Sequence, residues 1–209
     1  MPKKLYDKEE ILDSCLSVFA SNGYEKTTTA MLADASGISR ALIFHHFKSK
    51  KDLYLALVDR CFEKGSKMIS TDEIKGKQDF FEAKDEISTL KFNYYKKNPD
   101  VYRIITEAFY NTPADMKNEI EEKYGELIEQ RDEIQEKLFD NVPLKEGIDR
   151  RDAYKLVKLV LEHFENKFVS DLEDDSKLNH QILEMILNER RRFLDMLRNG
   201  IQEEGGETE

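Results

Sequence analysis

Between Thr27 and Lys51 the 209-residue chain concentrates hydroxyls, imidazoles and cations around a single carboxylate, Asp34. The groups are Thr28, Thr29, Ser39, Arg40, His45, His46, Lys48 and Lys50. Such groups grip phosphate: hydroxyls and the amide N–H groups of helix N-termini donate to its oxygens, and Lys and Arg neutralise its charge. Arg40 has a second use, because its planar fork matches the O6/N7 edge of guanine in a major groove. Leu42 offers an apolar contact to a thymine methyl.

These side chains need short helices to carry them, and the spacing supplies two. The Thr27–Thr29 run offers an N-cap for a short helix with Met31, Leu32 and Ala35 inward, and Ser36-Gly37 breaks it. Ser39 caps a further short helix over about Arg40 to His46. Two short helices on either side of Gly37 are the helix-turn-helix pattern, whose second helix enters the major groove. Taken alone, the pattern equally describes an ordinary helical corner.

Flanking elements complete a small domain. Ile11, Leu12, Cys15, Leu16 and Phe19 form the apolar stripe of a helix over 8–22, with Gly23 at its C-cap. Ser49, with Asp52 as a capping-box analogue, opens a fourth helix whose stripe is Leu53, Tyr54, Leu57, Val58, Cys61 and Phe62. It runs to about Ile69 and is the only continuous element joining this domain to the rest of the chain, so it is the expected route of coupling. Residues 70–78 read as a loop. Further helical patterns follow at about 79–97, 100–111, 114–140, 150–170 and 178–201. Pro99 and Pro113 stand near helix starts, Asp149 caps the penultimate helix and Gly200 closes the last. With only nine Gly and four Pro, and no convincing strand, the fold class is all-α with about nine helices.

The charge is uneven. The chain carries 33 Lys and Arg against 43 Asp and Glu, a net −10, which excludes a blanket polyanion binder. Residues 1–60 hold nine basic and eight acidic groups; the remainder is net −11. An N-terminal piece that can approach phosphate is therefore joined to an acidic body that cannot.

From Ile11 to Leu57 the sequence resembles the TetR family of bacterial transcriptional repressors. The matches are Phe19-x-x-x-Gly23-Tyr24, Thr27-Thr28, Leu32-Ala33-x-x-Ser36-Gly37-Ile38-Ser39 and Ile43-Phe44-His45-His46-Phe47-x-Ser49-Lys50-x-x-Leu53. The resemblance implies a sequence-specific DNA-binding regulator, a repressor released from its operator by a small ligand. It implies DNA contacts at Thr28, Thr29, Ser39, Arg40, Ala41, Leu42, Phe44, His45, His46, Lys48 and Lys50. Thr29 and Lys50 match phosphate contacts, and Ser39 to Leu42 occupy the base-reading segment. Ala41 replaces the usual Gly, restricting close approach, and Phe44 replaces a usual Tyr, removing a hydroxyl donor. Phe47, Ile43, Ile38 and Leu32 read as domain core; His46 reads either as a contact or as a core histidine.

The body is apolar on more than one helix face. Leu156, Val157, Leu159, Val160, Leu161, Phe164 and Phe168 crowd one helix, and Ile182, Leu183, Met185, Ile186, Leu187, Phe193, Leu194, Met196, Leu197 and Ile201 the last. A helix with two apolar faces wants two neighbours. The resemblance implies that these helices form a homodimer, which matches a palindromic double-stranded operator. It also implies a pocket for a small-molecule inducer among the central helices. Candidate lining residues are Phe62, Phe92, Tyr95, Tyr102, Phe109, Tyr110, Tyr124, Phe164 and Phe168, each of which also reads as ordinary aromatic core. The aromatic lining with Tyr hydroxyls points to an apolar or amphipathic ligand.

No Gly-rich phosphate loop, Gly-x-Ser-x-Gly elbow or His-Glu-x-x-His occurs, so no enzyme is expected. His163 and His180 lack ligand spacing, so neither a metal nor a cofactor is expected. Cys15 and Cys61 read as small core hydrophobes. Without an apolar run of membrane length or a signal-peptide core, a soluble, cytoplasmic bacterial protein with no membrane partner is expected. The domain expectation is 1–48 for DNA binding, 49–202 for ligand binding and dimerisation, and 203–209 as a disordered acidic tail. One alternative stands beside the regulator: a helical ligand- or partner-binding module without operator binding. Intact Thr29, Arg40, Lys48 and Lys50 favour the regulator.

Overall fold

The computed structural model describes residues 7–67, 79–172 and 180–202, with side chains omitted for 168–172 and 180–183. The expected loop at 70–78, the tail at 203–209, and the side chains of Phe168, Ile182 and Leu183 lie outside the described residues. Among the described residues there are nine α-helices: α1 (Lys8–Lys26), α2 (Thr29–Ser36), α3 (Arg40–His46), α4 (Lys50–Lys67), α5 (Phe80–Lys97), α6 (Pro99–Phe109), α7 (Lys117–Phe139), α8 (Arg150–Leu172) and α9 (His180–Ile201). A 3-10 turn, Ala114–Met116, precedes α7, and the only β-type pairing among them is one isolated bridge, Leu144 to Gln202. The chain divides into two compact units, Met1–Met68 with Tyr94–Lys123, and Ile69–Asn93 with Tyr124–Glu209.

In the first unit the caps act locally, as their residue types demand. Asp7 accepts from the Glu9 amide, Thr28 from Met31 and Ser39 from Leu42. Gly37 ends α2 in the left-handed conformation at φ 65°, ψ 21°, and the Ile38 amide returns to the Ala33 carbonyl. Ser49 exchanges two bonds with Asp52 at the start of α4, amide to hydroxyl and hydroxyl to carboxylate. Ile11, Cys15, Phe19, Leu32, Ile43, Leu53, Leu57 and Val58 are buried together with Phe47 and Ile38. The Cys15 and Cys61 thiols are buried and form no disulfide, and burial pushes each up to about 11.

Two local expectations change. Gly23 does not cap α1 in the left-handed helical region; it sits at φ 71°, ψ 167° and kinks the helix, which resumes to Lys26. That region is open essentially to glycine alone. Ala35 is exposed rather than inward, and Ser36 is buried in its place because its hydroxyl donates to the Leu32 carbonyl at 2.7 Å.

The second unit packs α8 against α9 over the start of α5 and the end of α7. Its core holds Phe80, Phe81, Phe139, Val142, Ala153, Val157, Leu161, Leu194 and Ile201. Phe80 meets Phe139 edge-on with ring centroids 5.1 Å apart. Asp149 caps α8 through the Asp152 amide, and Arg150 donates to the Phe139 and Val142 carbonyls at 2.9 and 3.0 Å, closing the end of α7. Gly200 does not close the last helix: α9 runs through it to Ile201, whose carbonyl accepts from the Lys145 amide. Leu194 belongs to the core, whereas Leu156, Leu159, Met185, Phe193 and Met196 remain exposed.

Candidate nucleic-acid interface

The three short-range caps fix the presentation of α3. Ser39 and Leu42 share the hydrogen bond that starts the helix, and Ile43 and Phe47 anchor its inner face. This leaves Ser39, Arg40, Ala41, His45 and Lys48 exposed, with Leu42, Phe44 and His46 half-buried beside them. The His45 and His46 rings lie edge to face with centroids 5.6 Å apart. Thr28 is exposed and Thr29 half-buried at the start of α2. The candidates of α2 and α3 thus fall on the outer side of one small helical core. Exposed hydroxyl, guanidinium and imidazole groups on a short capped helix can donate both to phosphate and to base edges.

Lys50 differs. Its ammonium donates to the carbonyls of Tyr24 and Thr27 at 2.8 and 3.0 Å and lies 4.1 Å from the centroid of the Tyr24 ring. It closes the kinked end of α1, where unpaired carbonyls and the negative end of the helix dipole favour a cation. One donor remains for any outside partner.

The kink is also where α6 bears on α1 and α4. Glu107 accepts from the Tyr24 amide on one oxygen at 2.7 Å and from the Tyr54 hydroxyl on the other at 2.6 Å. One carboxylate therefore ties α6 to both α1 and α4. A Cβ at Gly23 would stand 3.0 Å from the Glu107 oxygen, so the glycine makes room for this contact as well as supplying the backbone angle. Tyr24 donates in turn to Asp115 at 3.2 Å, and Lys51 donates to the Asp115 carbonyl at 2.6 Å while pairing with Glu119. Burial, then the charge and hydrogen bond of Asp115, push the Tyr24 phenol up to about 12. Burial and Glu107 raise Tyr54 further still. Within the first unit α6 packs on α1 and α4 directly, so it braces the N-terminal helices together with α4. Sequence reasoning missed Glu107 and Asp115, since their partners lie 53 to 91 residues away in the chain.

The aromatic candidates separate by unit. Phe62, Tyr95, Tyr102, Phe109 and Tyr110 fall in the first, where Phe62 meets Phe109 at 5.7 Å and Tyr95 meets Tyr102 at 4.9 Å between centroids. Burial pushes the Tyr95 phenol up to about 12. Phe92, Tyr124 and Phe164 are buried in the second.

Residues 11–57, which contain α2, α3 and their caps, match the family model for bacterial regulatory proteins of the tetR family. Over 188 residues the chain is 23% identical to the biofilm operon icaADBC negative transcriptional regulator IcaR of Staphylococcus aureus, covering 86% of this chain and 96% of that protein. Over this segment the chain is similar to the TetR family of regulators. It is a DNA-binding transcriptional regulator, and the helix-turn-helix of α2 and α3 is its DNA-binding element. The fold likeness extends over the length of the regulator. A TetR-like regulator from Rhodococcus superposes with a TM-score of 0.62 at 14% identity, over 93% of this chain and 98% of that one. FadR from Bacillus subtilis, solved in complex with stearoyl-CoA, gives 0.58 at 18% identity, over 88% and 97%. Among the described residues no helix is long and apolar enough to cross a membrane.

Proposed function

We propose that the regulator is a repressor that binds a palindromic operator as a homodimer in the cytoplasm and leaves it when a small amphipathic ligand binds the body. The observation that carries this reading is the exposed edge of α3 (Ser39, Arg40, Ala41, His45), held rigidly by two caps inside the family-matching segment. Arg40, with Ser39, Ala41 and Leu42, reads bases. Thr28, Thr29, Phe44, His45, His46 and Lys48 position the helix on the backbone, with Lys50 contributing its one remaining donor. The working partition is 1–48 for DNA binding and 49–202 for ligand binding and dimerisation, with 203–209 as an acidic tail.

The exposed Leu156, Leu159, Met185, Phe193 and Met196 on α8 and α9 support the dimer, because a monomer leaves them in water. The ligand reading draws on the aromatic sets of the body and on the FadR fold neighbour, solved with an acyl-CoA bound. The lining candidates form two separate sets, Phe62, Tyr95, Tyr102, Phe109 and Tyr110 in the first unit and Phe92, Tyr124 and Phe164 in the second. Coupling runs through Glu107: a ligand that favours a shifted α6 moves the kink of α1 and with it the seating of α3.

The test is calorimetric titration of an inducing amphiphile with and without operator. A coupling of typically 1–3 kcal/mol obliges the operator to weaken ligand binding by the same factor as the ligand weakens operator binding. Equal ligand affinity in both titrations refutes the switch.

A further inference from the structure

In the second unit three basic side chains converge: Lys84 and Lys91 of α5, seven residues apart and so on one helix face, and Arg190 of α9. Arg190 is 5% exposed, and its Nη2 donates to the Lys84 carbonyl at 2.9 Å. Its Nη1 is buried and donates no hydrogen bond among the described residues. The Asp85 carboxylate stands 3.8 Å from Nη1, out of hydrogen-bond reach, and accepts instead from Arg191 Nε at 2.7 Å. Lys84 and Lys91 are half-buried, and the Lys84 ammonium donates to Gln135 Oε1, which leaves two of its three donors for another partner.

Burial is the main force on these groups. It brings Lys84 down to about 7, with Glu165 opposing and Lys91, Arg190 and Arg131 reinforcing the shift. Lys91 is lowered by burial in the same surroundings. Arg131 pairs with Asp132, and Asp85 is shared between Arg191 and, at 3.8 Å, Arg190; Glu165 is the further carboxylate whose charge opposes the shifts of Lys84, Lys91 and Arg190. A natural core avoids gathering desolvated like charges unless something else balances them.

We propose that Lys84, Lys91 and Arg190 are the anion-binding end of the ligand site and take the carboxylate head of an amphipathic organic acid. The inference rests on the reading that the body binds a ligand, and it names that ligand's class. A carboxylate accepts from Arg190 Nη1 and from the two ammonium groups, and such charge-assisted bonds are strong where water is excluded. A carboxylate supplies the acceptor that Arg190 Nη1 lacks and favours the charged form of Lys84. Binding restores the proton to Lys84, so protons are taken up near neutral pH. Affinity then falls as pH rises above 7, against the opposing charge of Glu165 on α8 and alongside Lys91, Arg131 and Arg190 on α5, α7 and α9.

The experiment titrates the full chain with dodecanoate and with dodecanol, its neutral counterpart, in two buffers of different ionisation enthalpy. Dodecanoate is expected to bind about ten-fold tighter at pH 7, with proton uptake and a shrinking advantage by pH 9. Lys84→Met and Lys91→Met each remove that advantage while dodecanol binding is unchanged, and Lys91→Arg retains it. Arg190 supports the α5 backbone, so the lysines are the informative variants. Equal affinities of the two amphiphiles overturn the anion end and leave the ligand reading standing. Preferred dodecanoate binding without any change in operator affinity does the reverse: the site stands and the switch falls. Should neither amphiphile bind, lysine side-chain NMR with acetate alone decides: a Lys84 resonance titrating near 7 and moved upward by acetate supports the site, and one unmoved overturns it.

Discussion

The helix-turn-helix and the interior of the second unit both use cations, in opposite settings. Arg40 and Lys48 stand in water on a surface whose geometry is set by hydroxyl caps and a few apolar anchors. Arg190 is buried and Lys84 and Lys91 are half-buried, and desolvation disfavours the charge of all three. Exposed cations are cheap to keep and serve a polyanion whose counterions are released on binding. Desolvated ones discriminate strongly, because an incorrect occupant leaves them unpaired. The contrast separates a surface that tolerates many partners before reading sequence from a cluster that accepts one kind of charge.

The largest effect expected is on assembly. Replacing Leu159 and Met196, both exposed, by Glu should give folded monomers without operator binding, read by sedimentation and circular dichroism. The same change at Leu194 should instead unfold the second unit, since it buries an unpaired charge in the core. A folded Leu194→Glu monomer would contradict the distinction between the two faces.

Next comes the junction. Glu107→Ala leaves the Tyr24 amide and the Tyr54 hydroxyl without their acceptor and should cost about 2–3 kcal/mol in denaturant unfolding. Glu107→Gln, which keeps an acceptor, should recover part of that stability while altering the ligand's effect on operator affinity. A variant with wild-type coupling would show that the carboxylate only braces the fold.

Smaller is Lys50→Ala. With its ammonium on the Tyr24 and Thr27 carbonyls, its loss should lower stability by about 1 kcal/mol and reduce operator affinity on all sequences alike. An unchanged midpoint with a salt slope flattened by a full charge would instead mark a pure phosphate contact.

The remaining effect is a pH dependence. Lys84 is about 7 in the folded protein, below its ordinary value of 10.5, so the unfolded chain binds more protons between those values. Stability should therefore rise with pH across that window, and the rise should shrink in Lys84→Met when chemical unfolding is followed from pH 7 to 10.

The N-terminal helices could be read from sequence because their determinants are local. Thr28, Gly37 and Ser39 act on residues within a few positions of themselves, so type and spacing suffice. Glu107 could not, since its partners Tyr24 and Tyr54 lie in other helices and a carboxylate on an amphipathic helix reads as solvent-facing. The same default hid Lys84 and Lys91. On α9 the apolar residues exceed one stripe, and their spacing does not decide which stripe is inward; packing buries Leu194 and leaves Met185 and Met196 outside. Gly23 was identifiable as a break, but its extended ψ of 167° and the Glu107 oxygen beside it belong to the folded chain alone.

The central claim is that α3 reads sequence through Arg40, and selection of binding sites from a random DNA pool by the purified protein tests it most directly. The account predicts enrichment of a palindrome with half-sites about 34–36 Å apart or a multiple of that. Arg40→Ala should lose preference at one base pair per half-site at a cost of about 1–3 kcal/mol, while retaining the rest of the pattern. No enrichment over the starting pool, or an Arg40→Ala protein that selects the wild-type sequence unchanged, would contradict it.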